Sequence, residues 1–538
     1  MTMIPLRPDA LELYDTTLRD GARQTGISLT VHDRIRMLGQ IDSLGVGFIE
    51  GGSPGATPLD KEFFAQAAHV PLRSASLVAF GSIRRPGAAA AADDPQVAAL
   101  REAGTRFVTV AAPAHDLHVS QVLRTSLDEN LMMLSQTVRH LVAEGRRVIV
   151  DAEHYFDGFV RNPAYALEVV RTAAEAGART VVLCDTNGGM LPDWIGDAIS
   201  GAASLGVDLG VQCHNDSGCA VANSLAALGA GAVHVQGAVN GYGERAGSTD
   251  LTTLIPDLQL KYGWPVVTSE QLGGLTHAAR AIGEITAQPV APRQPYVGES
   301  AFAHRGGLRA AAVKVNNDLY QHVDPRSVGN DMRMLISDMA GRANIQVKGA
   351  QLGLDLADRA TAGEVAEAVR EREARGYAYE AADASFELLV KRMRGELAAR
   401  PFTVVGWRVL TEQQGDDPDA EAPAEAVVRL LADGSYRVCA GEGSGPVNAL
   451  DQALRRALGG VYPQVRSYEL VDYRVRLLGA VRGTDATVRA RIDTACRGLT
   501  WTTVGVGENV IEASWEALVE AFLYGLVKGH GSPAPHAL

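Results

Sequence analysis

From its start to about Lys261 the chain alternates short apolar runs with amphipathic stretches. The runs cover residues 11–18, 47–51, 72–80, 107–111, 148–153, 180–184, 209–213 and 233–239. They are the length of buried strands, and several end in Gly, Asp, Glu, His or Asn. Between them, stretches such as 32–44, 163–176 and 219–228 place apolar residues at helical spacing. Eight strands alternating with helices predict an α/β fold, a parallel (β/α)₈ barrel whose strand ends converge on one mouth. A doubly wound sheet would carry a Gly-x-Gly-x-x-Gly turn after its first strand. Here that turn reads Arg19-Asp20-Gly21-Ala22, so the barrel is the stronger expectation.

After residue 271 the pattern turns helical, with charged, Ala-rich stretches at 363–375 and 381–397. Residues 413–425, rich in Asp, Glu, Pro and Ala, read as an exposed acidic loop. Strands are expected at 402–410, 426–431, 467–478 and 488–494, and helices at 446–458 and 513–526, giving an α+β terminal domain. The expected organisation is a barrel over 1–271, helical linker subdomains over 272–400 and a regulatory or dimerisation domain over 401–538. The alanine run at 88–92 reads as a helix or loop without chemistry.

Composition narrows the partners. The 538 residues carry a formal net charge of −13. That argues against nucleic acid and requires locally placed arginines for any anionic substrate. Five cysteines at irregular spacing suggest neither a disulfide framework nor a zinc ribbon. No run is apolar for ~18 residues and no basic-then-apolar leader pattern is visible, so the expectation is a cytoplasmic protein without membrane contact.

Candidate chemistry sits at the strand ends. Arg19 and Asp20 follow the first strand, where they offer a fixed cation and a metal-competent carboxylate. Glu50, ending the second, is placed to hold Arg19. Glu153 and His154 close the fifth, suited either to acid–base work or to a loop hydrogen-bond network. Asp185-Thr186-Asn187-Gly188-Gly189 reads as a carboxylate-binding turn or as a plain Asx turn. Strand periodicity puts Gln212 and His214 on one side of the seventh strand, with His214 either a ligand or a satisfied core histidine. Gly441-Glu442-Gly443-Ser444-Gly445, ahead of a helix, offers a cradle for an anion but lacks a P-loop ending.

Taken together these motifs resemble the isopropylmalate/homocitrate/citramalate synthase family, the Claisen-condensing branch of the DRE-TIM metallolyases, and most of all its citramalate synthase type. The stretches that carry the resemblance include Tyr14 to Gly21, Phe48 to Gly52, Asp151 to His154, Leu183 to Gly189 and His214 to Gly218. Asn240 to Arg245, Ala301 to Gly307, Gly445 to Asp451, Trp501 to Gly505 and Asn509 to Trp515 extend it over nearly the whole chain. The resemblance implies an enzyme condensing acetyl-CoA with a 2-oxo acid, pyruvate in the citramalate type, as in isoleucine biosynthesis. It also implies a divalent metal (Mg, Mn or Zn) and a homodimer.

Carried over by resemblance, Asp20 and His214 are metal ligands, Arg19 stabilises oxyanions, Glu50 orients it, and Glu153 and His304 are candidates for the base. Thr186 and Asn215 would bind substrate. Four positions depart from the family pattern. Gln212 and Ser248 occupy ligand positions held by histidine and asparagine, Arg309 replaces a histidine base, and Arg23 replaces a glutamine. Amide and hydroxyl oxygens bind borderline ions more weakly than imidazole, and guanidinium cannot remove a proton at neutral pH. The expectation is therefore weakened metal binding, with Arg309, Arg23 and Arg19 supplying positive charge to an anionic substrate. The alternatives are a repurposed, metal-independent relative acting on another anion, and a non-catalytic homologue.

Overall fold

The computed structural model describes residues 11–88, 90–304, 316, 319–335, 341–397, 399–412, 423–478 and 486–529. These fall into two compact units, residues 1–302 with 322–332, and 303–321 with 333–538.

In the first unit eight parallel strands close into a barrel: β1 (Glu12–Asp15), β2 (Phe48–Glu50), β3 (Ser76–Ser82), β4 (Phe107–Pro113), β5 (Arg147–Glu153), β6 (Thr180–Asp185), β7 (Asp208–Cys213) and β8 (His234–Gly237). Pairing of Leu13 with Val235 and Tyr14 with Gln236 joins the ends. The lumen is filled: Tyr14, Phe48, Val78, Phe107, Ile149, Val182 and Cys184 form one buried cluster, with Phe48 and Phe107 edge to face at 4.9 Å. This plug leaves the chemistry to the rim above it. Helices start where the sequence can cap them. Thr30 and Asp33 form a capping box for Val31–Asp42, and Asn162 and Pro163 open Pro163–Ala176, which ends at Gly177 with φ 99°.

The first strand is shorter than its apolar run. At Asp15 the carboxylate accepts the Thr17 N–H (2.9 Å) and hydroxyl (2.7 Å), and the amides of Arg19, Asp20 and Gly21 all turn onto the Thr16 carbonyl. These bonds end the ladder and swing Arg19 and Asp20 over the mouth. The unit also runs past the expected boundary at 271. Helix Leu275–Ile285 buries Leu275, Ala278, Ala279 and Ile282 in the barrel's own core, because an amphipathic face that long needs a partner surface.

In the second unit the two-residue strands β9 (Ala303–His304) and β10 (Arg333–Met334) pair in parallel. Beyond them two antiparallel sheets are each followed by a helix. The first is β11 (Phe402–Thr411), β12 (Ala424–Ala432) and β13 (Ser435–Gly443) with helix Pro446–Leu458. The second is β14 (Glu469–Leu478), β15 (Thr487–Cys496) and β16 (Leu499–Gly507) with helix Val510–Val527. The expected cut at 401 is absent, since helix Asp383–Met393 buries Ala384 and Leu388 in the core of these sheets.

Two strands, β13 and β16, escape the apolar pattern because glycines occupy them. The proposed anion cradle is the end of β13. A Cβ on Gly441 would lie 2.3 Å from the Ala453 amide nitrogen, so the glycine is there to let the helix lie on the sheet. The alanine run expected at 88–92 holds a 3₁₀ turn, Ala91–Asp93. All five cysteines are free, with Cys184, Cys213 and Cys496 buried. Among the described residues no helix is long and apolar enough to cross a membrane.

Candidate active site

At the mouth of the barrel, Arg19 is nearly buried and donates from Nε to Glu50 Oε2 at 2.6 Å. Its guanidinium lies over the Phe80 ring, 4.2 Å from the centroid, and 3.7 Å from Asp20. Burial disfavours the charge, but Glu50 and Asp20 outweigh it and the proton is held more tightly than usual. Glu50 accepts from the Tyr14 hydroxyl (2.9 Å) on its other oxygen. Burial pushes its pKa up although Arg19 opposes the shift. Among the described residues no hydrogen bond engages the Arg19 Nη atoms, which leaves them available to an anion.

Asp20 Oδ2 lies 3.1 Å from His214 Nε2, and both side chains are buried. Burial raises the carboxyl pKa, but the His214 bond and the Arg19 charge outweigh it and bring it below the ordinary range. For His214 burial works against the cation, while Asp20 and the Thr186 carbonyl more than restore it, so its pKa is raised.

Thr186, expected to hold substrate, spends its hydroxyl accepting from His154 N–H (2.9 Å), and its carbonyl lies 2.8 Å from His214 Nδ1. Asp185 ahead of it accepts from the Gly189 and Met190 amides, four and five residues on, a wider loop clasp than the expected Asx turn. Asn215 Oδ1 accepts from Ala220 N–H at the start of helix Ala220–Gly229, so that oxygen is committed to the fold.

Arg23 shares a cavity of about 290 Å³ with Arg19 and Arg34. Its own guanidinium is exposed and pairs with Glu244 at 3.2 Å. Of the three cations expected to gather, Arg19 and Arg23 line this one cavity. Arg19 is locked on Glu50, Arg23 faces solvent, and Arg309 lies outside the described residues. His304 belongs to the second unit.

The donors at the metal positions are uneven. Two ligands at right angles around an ion with ~2.1 Å bonds stand roughly 3 Å apart. Asp20 Oδ2 and His214 Nε2 meet that spacing. Gln212 is the register partner of Gln236, whose side chain reaches across the lumen to Asp151, so Gln212 also faces inward. Ser248 donates its hydroxyl to the Tyr242 carbonyl at 2.9 Å. Among the described residues no three His, Cys, Asp or Glu side chains form a group that could by itself hold a metal ion. The set fits a hard, oxygen-preferring ion better than zinc.

Several groups escape a reading of the sequence. Asp151 sits under the site, fully buried, accepting from Gln236 Nε2 at 2.9 Å. Burial and the Glu50 charge push its pKa up to about 8. Strand periodicity turns Glu153 toward the same lumen as Asp151, and no side-chain bond engages it among the described residues. Asp216 and Arg245 lie inside quoted motifs without a role; their ion pair joins the loops after β7 and β8. Only the Asp-Ala-Glu spacing, two inward carboxyls on one strand, could have signalled Asp151.

A carboxyl whose pKa rises on folding, as that of Asp151 does, is stable as the neutral acid. Its contribution is complete below about pH 4 and is lost as pH climbs toward about 8. Asp151→Asn is therefore expected to melt higher than wild type at pH 8.5 and close to it at pH 5. Thermal melts across that range check the sign, and a variant that melts lower at both pH values contradicts it.

The chain is similar to known proteins over almost its whole length. The HMGL-like family model matches residues 10–282, the homocitrate synthase post-HMGL domain-like model residues 296–376, and the LeuA allosteric (dimerisation) domain model residues 380–526. The (R)-citramalate synthase of Streptomyces coelicolor is 53% identical over 99% of this chain and 100% of its own length. Those of Synechocystis sp. and Aquifex aeolicus are 46% and 44% identical, each over 96% of this chain and 96% and 98% of their own. Among solved structures, the Bacillus subtilis HMG-CoA lyase matches with a TM-score of 0.45, 18% identity, and coverage of 53% of this chain and 96% of that one. An HMGL-like barrel, a LeuA-type terminal domain and end-to-end identity of this degree place the chain in the (R)-citramalate synthase family.

Proposed function

We propose that the chain condenses acetyl-CoA with pyruvate and releases CoA, giving citramalate. The observation that carries this reading is full-length identity with (R)-citramalate synthases, joined to an Arg19–Glu50 pair beside Asp20 and His214 at the barrel mouth.

In this reading Glu153 takes a proton from the methyl group of acetyl-CoA. That carbon then bonds to the ketone carbon of pyruvate, whose oxygen is protonated, and water cleaves the thioester to free the thiol. Arg19, held rigid by Glu50 and Phe80, directs its Nη atoms at the oxygen where charge develops, with no reorganisation during the reaction. Asp20 and His214, with Gln212 beside them, would hold the divalent ion the family implies, which polarises the oxo acid. The second unit supplies the homodimer. Val471, Tyr473, Val475 and Leu477 form an apolar row on alternate positions of β14, all at least a third exposed.

Thiol release from acetyl-CoA across a panel of 2-oxo acids, with and without Mg, Mn or Zn, tests the reading. Pyruvate should give the highest kcat/KM and chelator should abolish turnover. Chelator-insensitive turnover on another oxo acid would favour a repurposed relative, and silence with every substrate would overturn catalysis. Glu153→Gln should lower kcat by about 10²–10⁴-fold with KM nearly unchanged. Wild-type kcat in that variant, with loss in His304→Asn, would transfer the base to His304.

A further inference from the structure

The strand starts of the barrel, at the end opposite the mouth, gather arginines that no step above uses. Arg106 precedes β4, Arg147 opens β5 and Arg179 precedes β6. Their guanidinium carbons lie 5.7, 5.8 and 5.8 Å from the centroid of one ring, that of Phe107 in the packed lumen. The backbone holds them side by side. Arg147 is the register partner of Phe107, its N–H donates to the Arg106 carbonyl at 3.0 Å, and the Arg179 N–H donates to the Val148 carbonyl at 2.8 Å.

The three cations are unequally paired. Arg179 donates to both oxygens of Glu12, with 2.8 Å from Nη1 to Oε2, and Asp208 at the start of β7 acts on the same charge. Glu12 Oε2 also lies 3.3 Å from His234 Nδ1, so that carboxylate is fully engaged. Arg106 and Arg147 are exposed, and among the described residues neither has a carboxylate partner. Like charges on adjacent strands repel, and a ring face offsets this only weakly at an exposed site. In a chain of formal net charge −13, two unanswered cations on one ring invert the local field. Two planar forks on neighbouring strands suit a tetrahedral dianion, because each can take its own pair of oxygens and the charges balance. A monocarboxylate offers one pair of oxygens and one charge.

We propose that Arg106 and Arg147, seated on Phe107, form a binding site for a phosphoryl group at the strand starts of the barrel. The site is at the opposite end of the strands from Arg19, Asp20 and His214, so it stands whether or not the chain condenses acetyl-CoA with pyruvate. Inorganic phosphate and the terminal phosphate of a nucleotide share this chemistry. The plain alternative is a cap, in which the guanidinium groups only close the lower end of the lumen.

The test is thermal melting and calorimetric titration of the full chain in a zwitterionic buffer, with phosphate, pyrophosphate or ATP set against NaCl of matched ionic strength. Phosphate at about ten times its Kd should raise the wild-type Tm by roughly 2–5 °C over the salt control. In Arg106→Gln and Arg147→Gln its affinity should fall about 10–100-fold. Without phosphate both variants should melt no lower than wild type, because a repulsion has been removed. A cap requires the reverse, and variants that melt lower with and without phosphate overturn the proposal. So does phosphate that stabilises wild type no more than matched salt, or that stabilises Arg147→Gln equally. Where the site is supported, pyrophosphate or ATP binding more tightly than phosphate identifies a nucleotide-type ligand, and weaker binding identifies free phosphate.

Discussion

Replacing Arg19 with methionine is expected to lower kcat for CoA release by about 10²–10³-fold, the usual cost of deleting one preorganised donor to a developing oxyanion. The same change should lower folding stability by roughly 3–5 kcal/mol, because it leaves a buried carboxylate without its cation. Glu50 would keep only the Tyr14 hydroxyl as a side-chain donor. Its pKa is already raised by burial, so without Arg19 it should take up a proton more readily still. The stability loss should therefore be smallest at low pH, where the acid is neutral, and grow as pH rises. The double variant Arg19→Met with Glu50→Leu removes both charges and should recover much of the stability with none of the activity, since a buried ion pair contributes little over an apolar pair. Melting curves and steady-state rates on the three proteins separate the roles. Wild-type kcat in the single variant would remove Arg19 from the chemistry, and a double variant no more stable than the single would refute the charge argument.

The second large effect concerns the ion. His214→Ala deletes the one imidazole among the donors at the metal positions. It should weaken Mn(II) binding by more than the ~100-fold that loss of an outer partner costs. Gln212→His should act in the opposite sense. Its side chain already faces the lumen, so an imidazole there adds a second nitrogen donor beside His214 and should shift preference from Mg and Mn toward Zn. Calorimetric titration of each metal into wild type and both variants measures the order of affinities. A wild type that prefers Zn to Mn, or a Gln212→His variant with unaltered selectivity, contradicts the donor reading.

The two sites also show where sequence reading is strong. The barrel follows from periodicity, because a strand buried on both faces has to be apolar throughout, and eight such runs are hard to mistake. Pro163–Ala176 and Pro446–Leu458 coincide with the expected helices because proline at the start and a glycine or apolar limit at the end leave little choice. Strand β13 was lost for the opposite reason. Gly441 and Gly443 look like a loop in one dimension and become intelligible only under the helix that lies across them. The same holds for the domain cut at 271, which a change of texture suggested and the packing of Leu275–Ile285 removed.

Among site residues, Arg19, Glu50, Asp20 and His214 were each visible as polar ends of apolar runs, and the first unit brings them together. Thr186 and Asn215 were visible too, but their side-chain oxygens are turned to His154 and Ala220 amides, a use that depends on which loops become neighbours. Arg23 adjoins Arg19 in sequence and cavity, yet its charge is answered by Glu244, over two hundred positions away.

By itself the sequence determined the architecture, the family and the chemical types at the strand ends, because periodicity and local turn chemistry are written in neighbouring residues. Only the tertiary structure decided which of those groups share protons and charge. Asp151 under Glu50, and Asp216 holding Arg245 against Thr186 and His214, are meetings of distant segments. Their energetics depend on burial and on distances of a few ångströms, which no spacing along the chain encodes.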